Sequence, residues 1–209
     1  MDKLDYKKEY KELYLPKNKP IVIDVPEMSF AIIDGEGDPN GKEFSLDVEA
    51  LYSFSYAVKM SYKSQEIPKG FYNYTVFPLE GVWDLADKTK LIADKSNFVY
   101  SIMIRQPDFL TDELFEQFIT GIKKKKNNVY IDKIKYATIS EGLCCQMLHL
   151  GSYYDEPVSF EIMKQFCIDN GYERTFKRHR EIYLSDPRKT EAYKLKTVLR
   201  FNVKKTQNK

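Results

Sequence analysis

The chain has 209 residues, of which 43% are hydrophobic and 31% are charged, and its formal net charge is +2. This composition is typical of a folded globular protein, and the near-neutral charge gives no reason to expect a nucleic-acid partner. No apolar run is long enough to cross a membrane, and the charged N-terminus does not resemble a signal peptide. We therefore expect a cytoplasmic protein with no nucleic-acid or membrane partner.

The first half of the chain predicts one long helix among strands. Residues 1–19 form a charged N-terminal extension in which Tyr6, Tyr10 and Tyr14 recur at helical spacing, so their rings are expected to dock on the domain. The elements predicted next are a strand over residues 21–33, a long helix with Ser45 as its N-cap, and strands over residues 71–85 and 97–106.

A connecting helix is predicted over about residues 111–126, with Thr111 as its N-cap. Its lysine run, Lys123–Lys126, suits the negative end of a helix dipole, so we interpret it as a solvated helix end rather than a nucleic-acid patch. The strands predicted in the second half cover residues 133–139, 143–150, 178–184 and 196–203. Between the second and third of these we predict a helix that begins at Asp155-Glu156-Pro157 and ends at Gly171. Its predicted buried stripe is Val158, Ile162 and Phe166.

The two halves repeat each other at a constant offset of 114 residues around their first strands. The matched positions there are Pro26, Glu27 and Gly37 with Ser140, Glu141 and Gly151. The repeat predicts an α+β fold in which two pseudo-symmetric β-α-β-β (SHS2-type) halves, over about residues 20–107 and 133–203, pack around a central ligand pocket. We expect residues 20–209 to form a single domain.

No standard catalytic signature is present in the chain. The glycines show no phosphate-binding pattern, and His149 and His179 lack the spacing of a zinc site, so we expect neither a cofactor nor a metal. The three cysteines, Cys144, Cys145 and Cys167, are interpreted as buried free thiols. Any chemistry must therefore depend on carboxylates and on the 16 tyrosines.

Glu181 is the strongest candidate for a functional carboxylate. Strand alternation sends Glu181 and Tyr183 to one face, while Ile182 and Leu184 face the other way. In the repeat, Glu181 and Tyr183 correspond to Gly81 and Trp83. We predict that these four residues share one face of the sheet and that Gly81 leaves room for a ligand opposite the carboxylate.

The chain resembles the GyrI-like small-molecule-binding proteins, most specifically through the Glu-Ile-Tyr-Leu-Ser-Asp-Pro run that begins at Glu181. The segments that carry the resemblance are Glu141–Gly151, Asp155–Pro157, Glu181–Lys189 and Leu195–Arg200 in the second half, and Pro78–Trp83 and Gln106–Phe109 in the first. The resemblance covers about residues 20–203 and implies a site for a hydrophobic, planar or cationic molecule, with Glu181 as the central carboxylate. One departure is Arg180, where stand-alone members often carry a second histidine.

The resemblance implies two alternative functions. In the first, an enzyme hydrolyses cyclopropane-bearing DNA-alkylating compounds, with Glu181 as the base, Tyr183 as the donor to the developing phenolate and Trp83 stacked on the substrate. In the second, a non-catalytic protein binds or sequesters drugs, with Glu181 as the counter-ion of a cationic ligand. The short N-terminal extension leaves no room for a helix-turn-helix domain, so we do not expect the chain itself to be a regulator.

Three further tyrosines are predicted to line the site, namely Tyr72, Tyr74 and Tyr154.

A third possible function is that the site is vestigial and that the fold serves protein contacts. The sequence does not distinguish a monomer from a homodimer.

Overall fold

The computed structural model describes residues 3–89, 95–124 and 129–206. The strands within these ranges are β1 (Ile21–Val25), β2 (Met28–Glu36), β3 (Leu79–Leu85), β4 (Phe98–Arg105), β5 (Lys135–Ile139), β6 (Gly142–Leu150), β7 (Tyr172–Arg174), β8 (His179–Tyr183) and β9 (Lys196–Lys205). The α-helices are α1 (Tyr6–Glu9), α2 (Lys11–Tyr14), α3 (Lys42–Lys59), α4 (Asp112–Lys123) and α5 (Glu156–Asp169). The predicted α+β class is confirmed.

The chain forms two compact units, each built from both halves of the sequence. The first comprises Met1–Tyr6, Met28–Phe77 and Asp84–Ile139, and the second comprises Lys7–Glu27, Pro78–Trp83 and Ser140–Lys209. In the first unit, β2 pairs with β4 and β5. In the second unit the strand order is β1-β6-β9-β8-β3, with β7 beside β9. Each of these neighbouring strands pairs antiparallel with the next.

The offset of 114 residues reappears in the bounds of the strands. It relates β1 to β5 and β2 to β6 at both ends, and Gly37 and Gly151 share a positive φ, of 102° and 130°. The predicted strand over residues 21–33 is wrong in one respect, because it divides into β1 and β2. The first strand of each repeat then pairs with the second strand of the other, β1 with β6 and β5 with β2.

The first unit packs α3 and α4 through aromatic and aliphatic side chains. Phe54 is fully buried, and its ring lies 5.1 Å from that of Phe115. The hydroxyl of Thr111 accepts a hydrogen bond from the Leu114 amide at 3.3 Å, which confirms the predicted N-cap of α4. Lys125 and Lys126 of the predicted lysine run lie outside the described residues. Within the described ranges, no helix has the length and apolar character needed to span a membrane.

The buried face of α5 is shifted by one residue from the predicted stripe, of which Phe166 alone packs, partly buried, against the core. Val158 and Ile162 are 65% and 48% exposed, whereas Glu156, Ser159, Met163 and Cys167 form the buried face of the helix. Met163 and Cys167 belong to the same core cluster as Met147, Leu199 and Phe201 of the sheet. The prediction failed because the first turns of this helix place polar side chains, rather than apolar ones, in the interior.

One face of the second unit's sheet carries a buried ion network. Arg180 contacts Glu80 at 2.7 Å and Glu141 at 3.0 Å, and Arg200 contacts Glu141 at 2.9 Å. Arg200 also donates to the Leu13 carbonyl oxygen at 3.0 Å, which ties α2 to the sheet. Although burial opposes it, the two guanidinium groups hold the pKa of Glu141 below its ordinary value. Arg180 therefore belongs to this network and, by strand alternation, points away from Glu181.

Candidate functional site

The pairing of β3 with β8 brings the four central predicted site residues together within the second unit. Gly81 lies directly opposite Glu181, and Trp83 lies opposite His179. Alternate residues of a strand share a face, so Gly81, Trp83, His179, Glu181 and Tyr183 project from the same side of the sheet. The prediction that Trp83 and Glu181 share a face is confirmed.

A chain of hydrogen bonds fixes the Glu181 carboxylate. The Trp83 indole Nε1 donates to the Tyr183 hydroxyl at 2.8 Å, and that hydroxyl donates to Glu181 Oε2 at 2.9 Å. The other carboxylate oxygen, Oε1, lies 2.8 Å from His179 Nε2. Both oxygens of Glu181 are thus held by side chains, which fixes the orientation of the carboxylate.

The partners of Tyr183 differ from those its predicted role requires. A phenol has one hydrogen to donate, and the Tyr183 hydrogen goes to Glu181. Burial, followed by the nearby charge of Glu181, raises the pKa of Tyr183 well above its ordinary value. Tyr183 is therefore placed to hold the carboxylate, and it has no second hydrogen for a ligand oxygen.

Glu156, the first residue of α5, is a second carboxyl group at the site. Its side chain is 6% exposed, one of its oxygens lies within 4.8 Å of a Glu181 oxygen, and its Oε1 is buried without a hydrogen-bond partner. Burial, followed by the nearby charge of Glu181, raises the pKa of Glu156 from its ordinary 4.5 to about 9. Glu156 therefore keeps its proton at neutral pH.

His149 and Ser159 fix the helix that carries Glu156. His149 Nε2 lies 3.0 Å from the Ser152 carbonyl oxygen, which can only accept, so this nitrogen carries the hydrogen. His149 Nδ1 then accepts from the Ser159 hydroxyl at 2.9 Å. These bonds join β6 to the first turns of α5, and both side chains are buried. His149 thereby has a positioning role, and neither of its nitrogens is left to serve as a base.

Glu156, His179 and Glu181 also form, among the described residues, a cluster with metal-site spacing. One donor atom from each lies within 4.8 Å of the others. One imidazole and two carboxylates are a set that divalent ions accept. Here, however, His179 Nε2 and Glu181 Oε1 lie 2.8 Å apart and are joined by a hydrogen bond, and Glu181 Oε2 binds Tyr183. The His179 and Glu181 atoms therefore already have hydrogen-bond partners, whereas Glu156 Oε1 has none.

The space predicted above Gly81 is occupied by the protein itself. A β-carbon at this position would lie 2.7 Å from Trp83 Nε1 and 3.1 Å from the Tyr183 hydroxyl. The glycine is needed because the indole and the phenol meet directly above it. The predicted room for a ligand opposite Glu181 is therefore not open at Gly81, and this part of the prediction is corrected.

The tyrosine nearest this cluster is Tyr153, which sequence reasoning missed. Its ring meets that of Tyr183 edge to face, with centroids 6.0 Å apart, and burial raises its pKa to about 12. The predicted Tyr154 is 79% exposed. Two adjacent tyrosines in a turn give no periodic signal, so the sequence cannot show which one faces inward.

Tyr72 and Tyr74 belong to the first unit. Their rings lie 6.0 Å apart, and both contact Phe109, at 5.5 Å and 6.2 Å. The Tyr74 hydroxyl is buried without a hydrogen-bond partner, and the Tyr72 hydroxyl accepts from the Asp108 amide at 3.3 Å. They form an aromatic cluster of their own, and their predicted role in ligand binding stays a prediction.

Comparison with known proteins gives the chain a family. The GyrI-like small molecule binding domain profile matches residues 18–204. An uncharacterised conserved protein from Listeria innocua is 40% identical and superposes with a TM-score of 0.91, over 97% of this chain and 100% of its own. A hydrolase from Listeria innocua is 38% identical, with the same TM-score of 0.91 and the same coverage of 97% and 100%.

A more distant structure, the C-terminal domain of EcmrR, is 15% identical with a TM-score of 0.54, over 90% of this chain and 98% of its own, which is a likeness of fold alone. No curated protein sequence matches the chain significantly. The family profile covers most of the chain, and the residues of the Glu181 cluster lie within the matched range. The chain belongs to the GyrI-like small molecule binding domain family.

Proposed function

We propose that this protein binds planar hydrophobic molecules at the Glu181 cluster and hydrolyses cyclopropane-bearing, DNA-alkylating compounds. The observation that carries the proposal is the fixed carboxylate of Glu181, held at both oxygens within 2.9 Å by His179 and Tyr183. A base must be held in one orientation to take a proton from water efficiently. The 38% identity to a hydrolase from Listeria innocua supports hydrolytic chemistry in general terms.

The proposed reaction adds water to the strained ring. Glu181 takes a proton from water as the water oxygen forms a bond to the cyclopropane carbon, and the ring carbon–carbon bond breaks. Its electron pair passes into the adjoining dienone, whose oxygen becomes a phenolate and takes a proton from solvent. Because Tyr183 donates to Glu181 instead of to the substrate, its role in this reaction is to orient the base.

The aromatic side chains supply the affinity for a planar ligand. Trp83 is the one tryptophan of the chain, and Tyr153 packs edge to face on Tyr183 beside the carboxylate. Aromatic rings bury large flat surfaces and favour planar ligands. The same rings and the same carboxylate would also suit a planar cation, which is the basis of the alternative function as a non-catalytic drug-binding protein.

The experiment compares the wild type with Glu181→Gln and with the control Glu173→Gln, whose side chain is half exposed on β7. Each protein is incubated with a cyclopropanoid alkylator, and the products are identified by mass spectrometry while quenching of Trp83 fluorescence reports binding. We expect the wild type and Glu173→Gln to add water, and Glu181→Gln to bind without turnover. If the wild type shows saturable quenching of Trp83 fluorescence but leaves the compound unchanged, the protein is a binding protein and not a hydrolase.

A further inference from the structure

The proton on the Glu156–Glu181 pair has no use in the ring opening proposed above. In that reaction the electron pair leaves through a conjugated dienone, and the oxygen that becomes charged is a stable phenolate remote from the attacked carbon. A site with this task alone requires a base and no neighbouring acid. The structure nevertheless keeps a second, buried carboxyl group within 4.8 Å of the base.

Glu156 has the surroundings of a proton donor. Its side chain is 6% exposed and one of its oxygens is buried without a partner, which is costly unless a water or a ligand atom completes its hydrogen bonding. One of its oxygens lies within 4.8 Å of both a Glu181 carboxylate oxygen and a ring nitrogen of His179. An acid and a base at this separation can act on two atoms that are bonded to each other.

We propose that the Glu156–Glu181 pair also hydrolyses aryl epoxides, with Glu181 as the base and Glu156 as the acid. In an epoxide the attacked carbon and the departing oxygen are directly bonded, so the two carboxyl groups can serve them at once. The departing alkoxide is a poor leaving group without a proton, which gives the acid a function. The inference rests on the proposed site, but not on its cyclopropanoid activity.

The step balances with one proton kept on the pair. The water oxygen forms a bond to the benzylic epoxide carbon and loses a proton to Glu181, while the carbon–oxygen bond of the ring breaks. Its electron pair stays on the oxygen, which takes the proton of Glu156, and the product is a diol. Return of the proton from Glu181 to Glu156, whose oxygens lie within 4.8 Å of each other, restores the starting state with no oxidant or cofactor.

The charged and titratable groups around Glu156 come from three elements. Strand β8 presents His179, Glu181 and Tyr183, and the turn before α5 presents Tyr153, while His149 of β6 reaches the same helix through Ser159. None of these groups is a lysine or arginine that would draw the proton from Glu156. The nearest charge is the Glu181 carboxylate, which favours a neutral Glu156.

The test uses racemic styrene oxide, with formation of 1-phenyl-1,2-ethanediol measured by chiral chromatography against an enzyme-free blank. The wild type is compared with Glu156→Gln, Glu181→Gln and the control Glu161→Gln, which lies on the exposed face of α5. We expect the wild type and Glu161→Gln to form the diol with enantiomeric preference. Glu156→Gln should lose about 100-fold or more in kcat, the usual contribution of a general acid, with little change in KM.

The pH profile separates an acid from a structural residue. In the wild type and Glu161→Gln, kcat should fall as the pH approaches 9, where Glu156 loses its proton, whereas the residual rate of Glu156→Gln should lack this fall. If circular dichroism shows that Glu156→Gln is unfolded, Glu156→Asp replaces it. Aspartate keeps an acid at this position, so kcat should be lower than in the wild type but should still fall as the pH approaches 9.

Three results would overturn the inference. The first is a rate of diol formation by Glu156→Gln that equals the wild-type rate. The second is the absence of diol above the blank from wild-type protein that does hydrolyse the cyclopropanoid compound. The third is loss of activity with a chelator and its return with zinc or manganese, because the cluster would then act through a metal ion. Diol formation without cyclopropanoid hydrolysis would support this inference and reject the function proposed above.

Discussion

The Tyr183 hydroxyl donates its hydrogen to the Glu181 carboxylate across 2.9 Å while it accepts from the indole of Trp83 across 2.8 Å. Tyr183→Phe removes both bonds and leaves the Trp83 N–H, in a side chain 8% exposed, without this partner. We expect the free energy of unfolding to fall by about 1–3 kcal/mol, the cost of losing hydrogen bonds to a buried donor and to a charged acceptor.

The same variant should lower kcat about tenfold without abolishing turnover, because the base is still present but held by His179 alone. Urea unfolding and steady-state kinetics measure the two effects, and the fluorescence maximum of Trp83 should shift as its hydrogen bond is lost. Unchanged stability together with unchanged kcat would mean that the bond does not form in solution.

Gly81→Ala should displace the indole of Trp83. The added β-carbon would lie 2.7 Å from Trp83 Nε1, which is too close, so the ring must move. We expect a loss of stability of about 1–3 kcal/mol, as for other over-packed sites, together with a changed Trp83 emission spectrum and weaker ligand binding.

Gly121→Ala is the matched control for this substitution. Gly121 lies within α4, and a β-carbon there meets nothing within 4 Å. Alanine in a helix should therefore raise the free energy of unfolding by up to about 1 kcal/mol and leave the emission spectrum unchanged. An unaltered spectrum in Gly81→Ala as well would count against the contact between Gly81 and Trp83.

Stability should fall as the pH rises from about 5 to 9. The pKa of Glu156 is about 9 in the folded protein against its ordinary 4.5, so over this window the folded state holds a proton that the unfolded state has released. Unfolding then becomes easier with each step in pH. The lowered pKa of Glu141 acts in the opposite direction, but only below its ordinary 4.5.

Glu156→Gln should remove most of this slope, because glutamine does not ionise. Urea midpoints of the wild type, Glu156→Gln and Glu161→Gln, measured at intervals across the window, test this expectation. Equal slopes in all three proteins would mean that Glu156 is ionised at neutral pH in the folded state.

Arg200→Met should destabilise the second unit strongly. Arg200 is 1% exposed, and its loss leaves the largely buried Glu141 with one cation fewer and frees the carbonyl of Leu13. We expect a cost of about 3–5 kcal/mol, as for other broken buried ion pairs. Limited proteolysis should also cut the segment over residues 7–19 faster than in the wild type.

Lys204→Met provides the control, because its ion pair with Glu173 is more than half exposed on both sides. Its cost should stay below about 1 kcal/mol. If Arg200→Met costs no more than Lys204→Met, the buried network does not hold the N-terminal segment.

The register between β3 and β8 explains why the sequence was sufficient to predict the central cluster. The repeat matches Gly81 with Glu181 and Trp83 with Tyr183, and the pairing of β3 with β8 places Gly81 directly opposite Glu181. Because the strands run antiparallel, the matched residues Gly81 and Glu181 face each other, whereas Trp83 lies opposite His179 and reaches its matched residue Tyr183 through a side-chain hydrogen bond above Gly81. This is why alternation along one strand and one repeat were sufficient to bring these four side chains together.

Glu156 and His179 could not be found in the same way. Glu156 stands beside Asp155 and Pro157, where an acidic residue is explained by the start of a helix, so its burial leaves no mark on the sequence. His179 lies far along the chain from His149, so its spacing gives no sign of a site. Val158, Ile162 and Phe166 predict a buried stripe that is displaced from the observed one, because periodicity detects apolar faces and misses a buried polar one.

The most direct test of the account is hydrolysis of a cyclopropanoid alkylator in water labelled with oxygen-18, with mass spectrometry of the product from the wild type and from Glu181→Gln. The account predicts that the wild-type product gains one labelled oxygen and that Glu181→Gln binds the compound, as shown by quenching of Trp83, but forms no product above the spontaneous rate. Equal incorporation of label by Glu181→Gln, or a wild-type product without the label, would contradict the assignment of Glu181 as the base that activates water.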